Sequence, residues 1–334
     1  MSDRKPNRYL VADVGGTNAR FALAESIHGD NSNRFQFIDS RSFAVAQFQN
    51  FEDVIAEYLD SQPAGQKEIC GASLAVASAV GVEEICFTNS PWKFSRASLV
   101  DRFKFPQLMI INDFEALALQ IEHSPSDFIQ KFRNGEHHPY AARVVVGPGT
   151  GLGVAGLIRS SAADQSRWHA IPGEGGHIAF APGNDLEMEL LGYLQRKYGR
   201  VSIERVASGP GLRNIYRFLC EKFGSQPLED SPDAISKRAL SNSEAIASDA
   251  VRIFLEIVGS FAGDAAMMFG ARGGVFLGGG ILPRLMPAIA KSDFFLRFNG
   301  KGRHTHWMEK IPISLIVSDK AALLGAAVAL RLAH

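Results

Sequence analysis

Cysteine is scarce in this chain: three residues in 334, Cys70, Cys86 and Cys220, with no CxxC pair among them. That spacing excludes a disulfide framework and a zinc-knuckle site, and the apolar stretches around each cysteine predict buried thiols. No run of about 20 apolar residues occurs, which excludes a membrane-spanning helix. The opening MSDRKPNRYLVADV carries charge but neither an apolar h-region nor a small-residue cleavage site, so a cytoplasmic location is expected. Neither sign of charge prevails, because Lys plus Arg number 35 and Asp plus Glu number 35. A protein that grips nucleic acid through phosphates, or an anionic membrane surface, normally has a basic excess, so neither partner is expected.

What the chain does have is an ordinary globular composition, 46% hydrophobic and 21% charged. Its length favours two domains over one at roughly 100–200 residues each, and a boundary between two such cores is a natural place for a cleft. Tyr9–Val14 is a short apolar run that stops at Gly15-Gly16, and Ala19–Ala24 follows at once, which reads as strand, tight glycine turn, strand. Ile69–Ala77, Val82–Thr88 and Leu108–Ile111 read as further strands, and Phe51–Leu59 as a helix. Behind Asn112-Asp113, residues Phe114, Leu117, Ala118 and Ile121 share one helical face, placing Asp113 at a strand-to-helix junction. The same grammar then restarts: strand Arg143–Val146, glycine-rich turn Gly147–Gly153, strand Val154–Ile158. Helices are predicted over Leu186–Tyr198, Gly211–Phe223 and Glu244–Phe269. A strand Gly274–Leu277 ends at Gly278-Gly279-Gly280 before a helix near Pro283; strand Ile313–Val317 and helix Lys320–Leu332 close the pattern. Two halves that open alike suggest a duplicated architecture. Gly29–Asn33, Asn134–Pro139, Arg159–Arg167 and Gln226–Asp233 read as loops.

Six segments carry residue types suited to chemistry. In Asp13-Val14-Gly15-Gly16-Thr17-Asn18 the glycines free backbone N–H groups to converge on an anion, Thr17 adds a donor, and Asp13 could hold Mg²⁺ through water; a plain GG hairpin is the competing reading. Gly147-Pro148-Gly149-Thr150-Gly151-Leu152-Gly153 repeats that chemistry, and two such loops could grip the β- and γ-phosphates from opposite sides. A dinucleotide-binding loop needs a helix directly after its glycines, and a Walker A loop needs Lys-Ser/Thr; neither follows here. Leu277-Gly278-Gly279-Gly280 offers bare backbone on which a purine or ribose could lie, or is a plain strand-helix turn. Asp113 is rigidly placed to act as a general base for an alcohol, and an Asp before a helix is also a good N-cap. Glu174 and His177 in Pro172-Gly173-Glu174-Gly175-Gly176-His177 could both turn toward a polyhydroxylated ligand, or be surface turn residues. Glu204, in Ser202-Ile203-Glu204-Arg205-Val206, reads as a solvated residue at the start of a short helical stretch.

Taken in order, DVGGTNAR (13–20), Thr88-Asn89, INDF (111–114), Gly147–Ala155, PGEGGH (172–177), SGPGL (208–212) and Leu277–Ile281 resemble the bacterial glucokinase family from about residue 9 to residue 330. The resemblance implies the two-domain α/β fold of actin, the 70-kDa chaperones and hexokinase (an actin-like ATPase, ribonuclease H-like fold) with an interdomain cleft. It divides the chain into a small domain, 1–112 plus 319–334, and a large one, 113–318. It implies ATP with Mg²⁺, glucose as acceptor at its 6-hydroxyl, and a homodimer. Asp113 matches the family's catalytic base; Asn112, Asp113, Glu174, His177 and Glu204 match its sugar-binding positions. Ala12, Asp13, Val14, Gly15, Gly16, Thr17, Gly149, Thr150, Gly151 and Gly279 match its nucleotide site, with Asp13 nearest the metal. Ala12 departs from the glycine frequent in relatives, and alanine suits a strand equally well. The cysteine-rich zinc motif of the related repressor, open-reading-frame and kinase (ROK) family is absent. Three rivals remain: a sister kinase for another hexose, an actin-like ATPase that phosphorylates no sugar, and a sugar-responsive repressor, for which eight residues before the first strand leave no room for a DNA-binding element.

Overall fold

The computed structural model describes residues 7–26, 35–63, 68–78, 80–87, 92–160 and 167–332. Thr88-Asn89, the loop at Gly29–Asn33 and most of the loop at Arg159–Arg167 lie outside them. The chain divides into two units, residues 1–128 with 318–334, and residues 129–317.

In the first unit the elements run β1 (Arg8–Val14), β2 (Asn18–Ser26), β3 (Phe35–Ala44), α1 (Phe51–Asp60), β4 (Gly71–Val76), β5 (Glu84–Cys86), β6 (Lys93–Ser95), α2 (Arg96–Phe103), β7 (Leu108–Asn112) and α3 (Asp113–Leu119). The second contains β8 (Ile129–Arg133), β9 (Arg143–Pro148), β10 (Leu152–Arg159), β11 (Trp168–Gly173), α4 (Asp185–Tyr198), α5 (Gly209–Lys222), α6 (Pro232–Leu240), α7 (Ala245–Phe269), β12 (Gly274–Leu277), α8 (Leu282–Ile289), α9 (Phe294–Asn299), α10 (Thr305–Glu309) and β13 (Ile313–Ile316). The chain then returns to the first unit with α11 (Ala321–Leu332).

Both sheets obey one rule. The first has the order β3-β2-β1-β4-β7; the second has β11-β10-β9-β12-β13 and adds β8 at its edge. In each, two hairpins lay three strands antiparallel, and two further strands join parallel to the first of them. The parallel strands are buried and read as continuous apolar runs, such as Gly71–Val76, buried at every residue. Their carboxyl ends are flush, with Val14, Val76 and Asn112 paired across the first sheet. Val146, Leu277 and Leu315 are paired likewise in the second. Open α/β sheets place ligands beyond such carboxyl ends, and that is where the glycine turns and Asp113 emerge.

Local signals set five of the helix starts. Asn112, Ser95, Asn184, Ser208 and Ser231 each cap a helix with a side-chain oxygen. Gly270, at φ 57°, ends α7 in the left-handed conformation that glycine adopts without strain. Phe21, Phe51 and Tyr58 stack beneath the first sheet, while α7 fills the second core along most of its length. Among the described residues no helix is long and apolar enough to cross a membrane.

Two expectations are corrected. The division between units falls at Phe128/Ile129 and Val317/Ser318, so the helix behind Asp113 belongs to the first unit, not to a large domain beginning at 113. The physical reason is α11: at Gly325 it approaches α3 so closely that a Cβ would lie 1.8 Å from the Ala116 carbonyl oxygen. Of the cysteines only Cys220 is buried; Cys70 is half-buried and Cys86 exposed. Cys86 sits on the three-residue strand β5, where alternation turns it away from the core side occupied by Ile85.

Gly325→Ala should therefore destabilise the protein by about 2 kcal/mol, since backbone overpacking outweighs the ~1 kcal/mol gain in helix propensity. Gly192→Ala on α4, where a Cβ meets nothing within 4 Å, should leave stability unchanged or raise it. Thermal unfolding of the two variants checks the pair; equal melting temperatures would contradict the packing argument.

Candidate active site

In the first unit, the turn between β1 and β2 is closed by the Gly15 N–H donating to the Asn18 carbonyl at 2.9 Å, and the Val45 N–H holds the Thr17 carbonyl at 2.9 Å. Gly15 and Gly16 have no positive φ, and a Cβ on Gly15 would meet only Asn18 O, at an ordinary 3.6 Å. The chain's own geometry does not require glycine at position 15. Bare backbone with space above it suits an approaching anion. Asp13 and Arg20 face each other across the hairpin, 3.9 Å apart, with Asp13 about 30% exposed. Burial pushes the Asp13 carboxyl above its ordinary pKa, with Arg20 pulling down and Asp319 adding to the rise. Arg20 also donates to the Asp319 carbonyl, tying the hairpin to the segment before α11. Asp13 is a partly exposed carboxylate at the turn, and carboxylate oxygen is the donor type that Mg²⁺ takes. Ala12 and Val14, buried neighbours on β1, hold the strand in place.

On the same sheet edge, β7 delivers Asn112 and Asp113. Asn112, not Asp113, is the N-cap: its Oδ1 accepts from the Phe114 N–H at 2.9 Å and the Glu115 N–H at 3.3 Å. Glu115 returns the bond to the Asn112 N–H at 3.4 Å, completing a capping box. Asp113 is thus the first helical residue, its Oδ1 3.0 Å from the Phe114 nitrogen. Val14 and Asn112 are two strand spacings apart, about 10 Å, across Val76.

In the second unit, the β9–β10 turn contains glycines of two kinds. A Cβ on Gly149 would meet nothing within 4 Å, whereas Gly147 would strike Gly278 at 2.5 Å and Gly151 would strike Glu204 Oε2 at 2.6 Å. Gly279 has φ 80° and lies against Pro148 O, 2.4 Å from its ideal Cβ, so packing alone accounts for that glycine. Thr150 stands exposed at the tip. The Gly149 N–H donates to Gly151 O at 2.8 Å, and the Gly209 N–H at the start of α5 donates to Gly149 O at 2.8 Å.

Glu174 and His177 project from the loop after β11, exposed, with His177 Nε2 3.8 Å from Glu174 Oε2. Arg200 anchors the loop through the His177 carbonyl at 2.7 Å, and the Ile203 N–H donates to Ile178 O at 2.9 Å. That last bond carries Glu204, on a short 3-10 turn (Ile203–Arg205), to the same place. The expectation of a solvated Glu204 is corrected: it is half-buried, and its Oε2 accepts from the Leu152 N–H at 2.9 Å. The Leu152 peptide is the residue that sequence reasoning missed. Its part is played by a main-chain N–H, which leaves no mark in side-chain pattern. The nearest hint was Gly151, whose Cβ would meet Glu204 Oε2 at 2.6 Å.

Phosphate-suited turns and hydroxyl-suited polar groups at the carboxyl ends of parallel strands are the equipment of an α/β sugar kinase. Comparison with known proteins bears this out. A crystal structure of glucokinase from an Antarctic psychrotroph superposes with a TM-score of 0.84, at 34% identity, covering 98% of this chain and 99% of that one. A ROK family glucokinase from Streptomyces griseus, in complex with glucose and AMPPNP, shares the fold at 18% identity and a TM-score of 0.65, covering 98% of this chain and all of that one. The glucokinase family model matches residues 10–333, and a glucokinase of Hahella chejuensis is 38% identical over 322 residues, 96% of each chain. The chain belongs to the glucokinase family.

Asn112→Ala should lower stability by about 1 kcal/mol through loss of the cap, while Asn112→Ser should retain most of it. Thermal unfolding distinguishes them; equal losses would remove the cap from the account.

Proposed function

We propose that this glucokinase transfers the γ-phosphoryl group of ATP to the 6-hydroxyl of glucose with Asp113 as general base. The observation that supports it most is the pair of glycines, Gly15 and Gly149, that neither backbone conformation nor packing demands, each in a turn beyond the carboxyl end of a parallel strand. Phosphoryl transfer asks a protein for position and charge rather than covalent chemistry. The turns at Asp13–Thr17 and Gly149–Gly151 supply backbone N–H groups for phosphate oxygens. Asp13 would hold Mg²⁺ through water, and the ion would supply positive charge against the phosphates.

Asn112, Glu174, His177 and Glu204 hold the sugar ring, Asn112 from the position adjoining Asp113. Asp113, fixed at the first turn of α3 by the capping box beside it, accepts the hydroxyl proton as the new P–O bond forms. This reading carries with it the actin-like, ribonuclease H-like assignment, to which the two sheets built on one strand order lend support, together with a homodimer in the cytoplasm. Gly279 belongs to the nucleotide site in this reading, although its packing needs glycine in any case.

A coupled assay with glucose, fructose, mannose and N-acetylglucosamine tests the acceptor; faster phosphorylation of another sugar would replace glucose. Asp113→Asn should cut turnover by roughly 10²–10⁴ while glucose affinity stays within a few-fold. Near-normal turnover would remove Asp113 from its role. Glu174→Gln should mainly raise the KM for glucose, and an unaltered KM would detach Glu174 from the sugar.

A further inference from the structure

Glu204 stands between two pieces of the second unit with different tasks. Its Oε2 takes the Leu152 N–H at 2.9 Å, at the end of the Gly149–Gly151 turn. The backbone that carries it is bonded to Ile178 through Ile203 at 2.9 Å, one residue beyond His177. The same segment reaches the turn a second time, through the Gly209 N–H on Gly149 O at 2.8 Å. Leu152 is gripped on its other side too: a Cβ on Gly176, in the Glu174–His177 loop, would lie 2.2 Å from Leu152 O. One residue therefore has the sugar loop against its oxygen and Glu204 on its nitrogen.

From this geometry we infer that Glu204 is a positioning residue as well as a sugar ligand, through which a bound sugar orders the phosphate turn. A carboxylate has two oxygens and about four acceptor sites. With Oε2 on Leu152, Oε1 can take a sugar hydroxyl. That second bond fixes the Glu204 rotamer and so fixes the Leu152 N–H and the turn behind it. A turn ordered beforehand binds phosphate at less entropic cost, which makes the coupling positive, and the linkage is reciprocal. Gly151 is glycine because Oε2 occupies the space its Cβ would need, 2.6 Å away. This inference rests on the assignment of Glu204 to the sugar.

The test is the affinity of the full-length protein for Mg²⁺–AMPPNP, measured by titration calorimetry with and without saturating glucose. The wild type should bind the analogue about tenfold more tightly with glucose present, within the usual range of couplings between sites. Gly151→Ala, which displaces the carboxylate from Leu152 but leaves it for the sugar, should still bind glucose and lose most of that factor. Glu204→Gln, which keeps one acceptor and loses the other, should lose it as well. A purely structural role would weaken analogue binding equally in both conditions and leave the ratio alone. Should neither variant fold, the wild type suffices, because glucose alone should shift the Leu152 amide resonance. A ratio unchanged within twofold in both variants, or a Leu152 resonance indifferent to bound glucose, overturns the inference and leaves the glucokinase reading intact. A wild type that binds no glucose overturns that reading itself.

Discussion

Everything in this molecule depends on parallel strands that end together. Val14, Val76 and Asn112 are register partners in one sheet, and Val146, Leu277 and Leu315 in the other. A shift of one residue in β7 would turn every side chain to the opposite face and carry Asp113 with it. Register here is fixed by burial, since β4 is enclosed at all its residues. The chemistry is thus set by the core: the strands cannot slide without exposing apolar surface, and the turns and the carboxylate ride on their ends.

The glycines divide along a line that separates architecture from chemistry. Those at 147, 151, 176, 279 and 325 leave room for another part of the same chain. The ones at 15 and 149 make room for nothing in the chain. In a bare sequence the two kinds look alike, and the distinction rests on what a methyl group would touch. It also explains why glycine-rich loops are weak evidence alone: most of their glycines answer to packing.

Sequence pattern went furthest where period and punctuation agreed. The hairpins beginning at Tyr9 and Arg143, the long helix ending at Phe269 and the strand delivering Asp113 were legible because apolar runs met glycine or a capping residue. The edge strand Phe35–Ala44 was not, since Asp39, Ser40, Arg41 and Ser42 break its apolar pattern and little of it is buried. Ile129–Arg133 is likewise half polar, and Trp168–Gly173 ends in Pro-Gly, which reads as a turn. Of the site, the residue types and their order were legible. Their engagements were not: that Asn112 rather than Asp113 caps α3, and that Glu204 reaches back 52 positions to a backbone N–H, are facts of tertiary contact.

The close seating of Gly325 against Ala116 has a consequence for how the protein is made. The first unit is discontinuous, and the helix that supports the strand of Asp113 is synthesised only after the whole of the second unit. During translation the second unit, continuous from 129 to 317, can assemble while the first still lacks its final helix. The fragment waiting on the ribosome exposes the apolar faces of α3, β1 and β4 that α11 later covers.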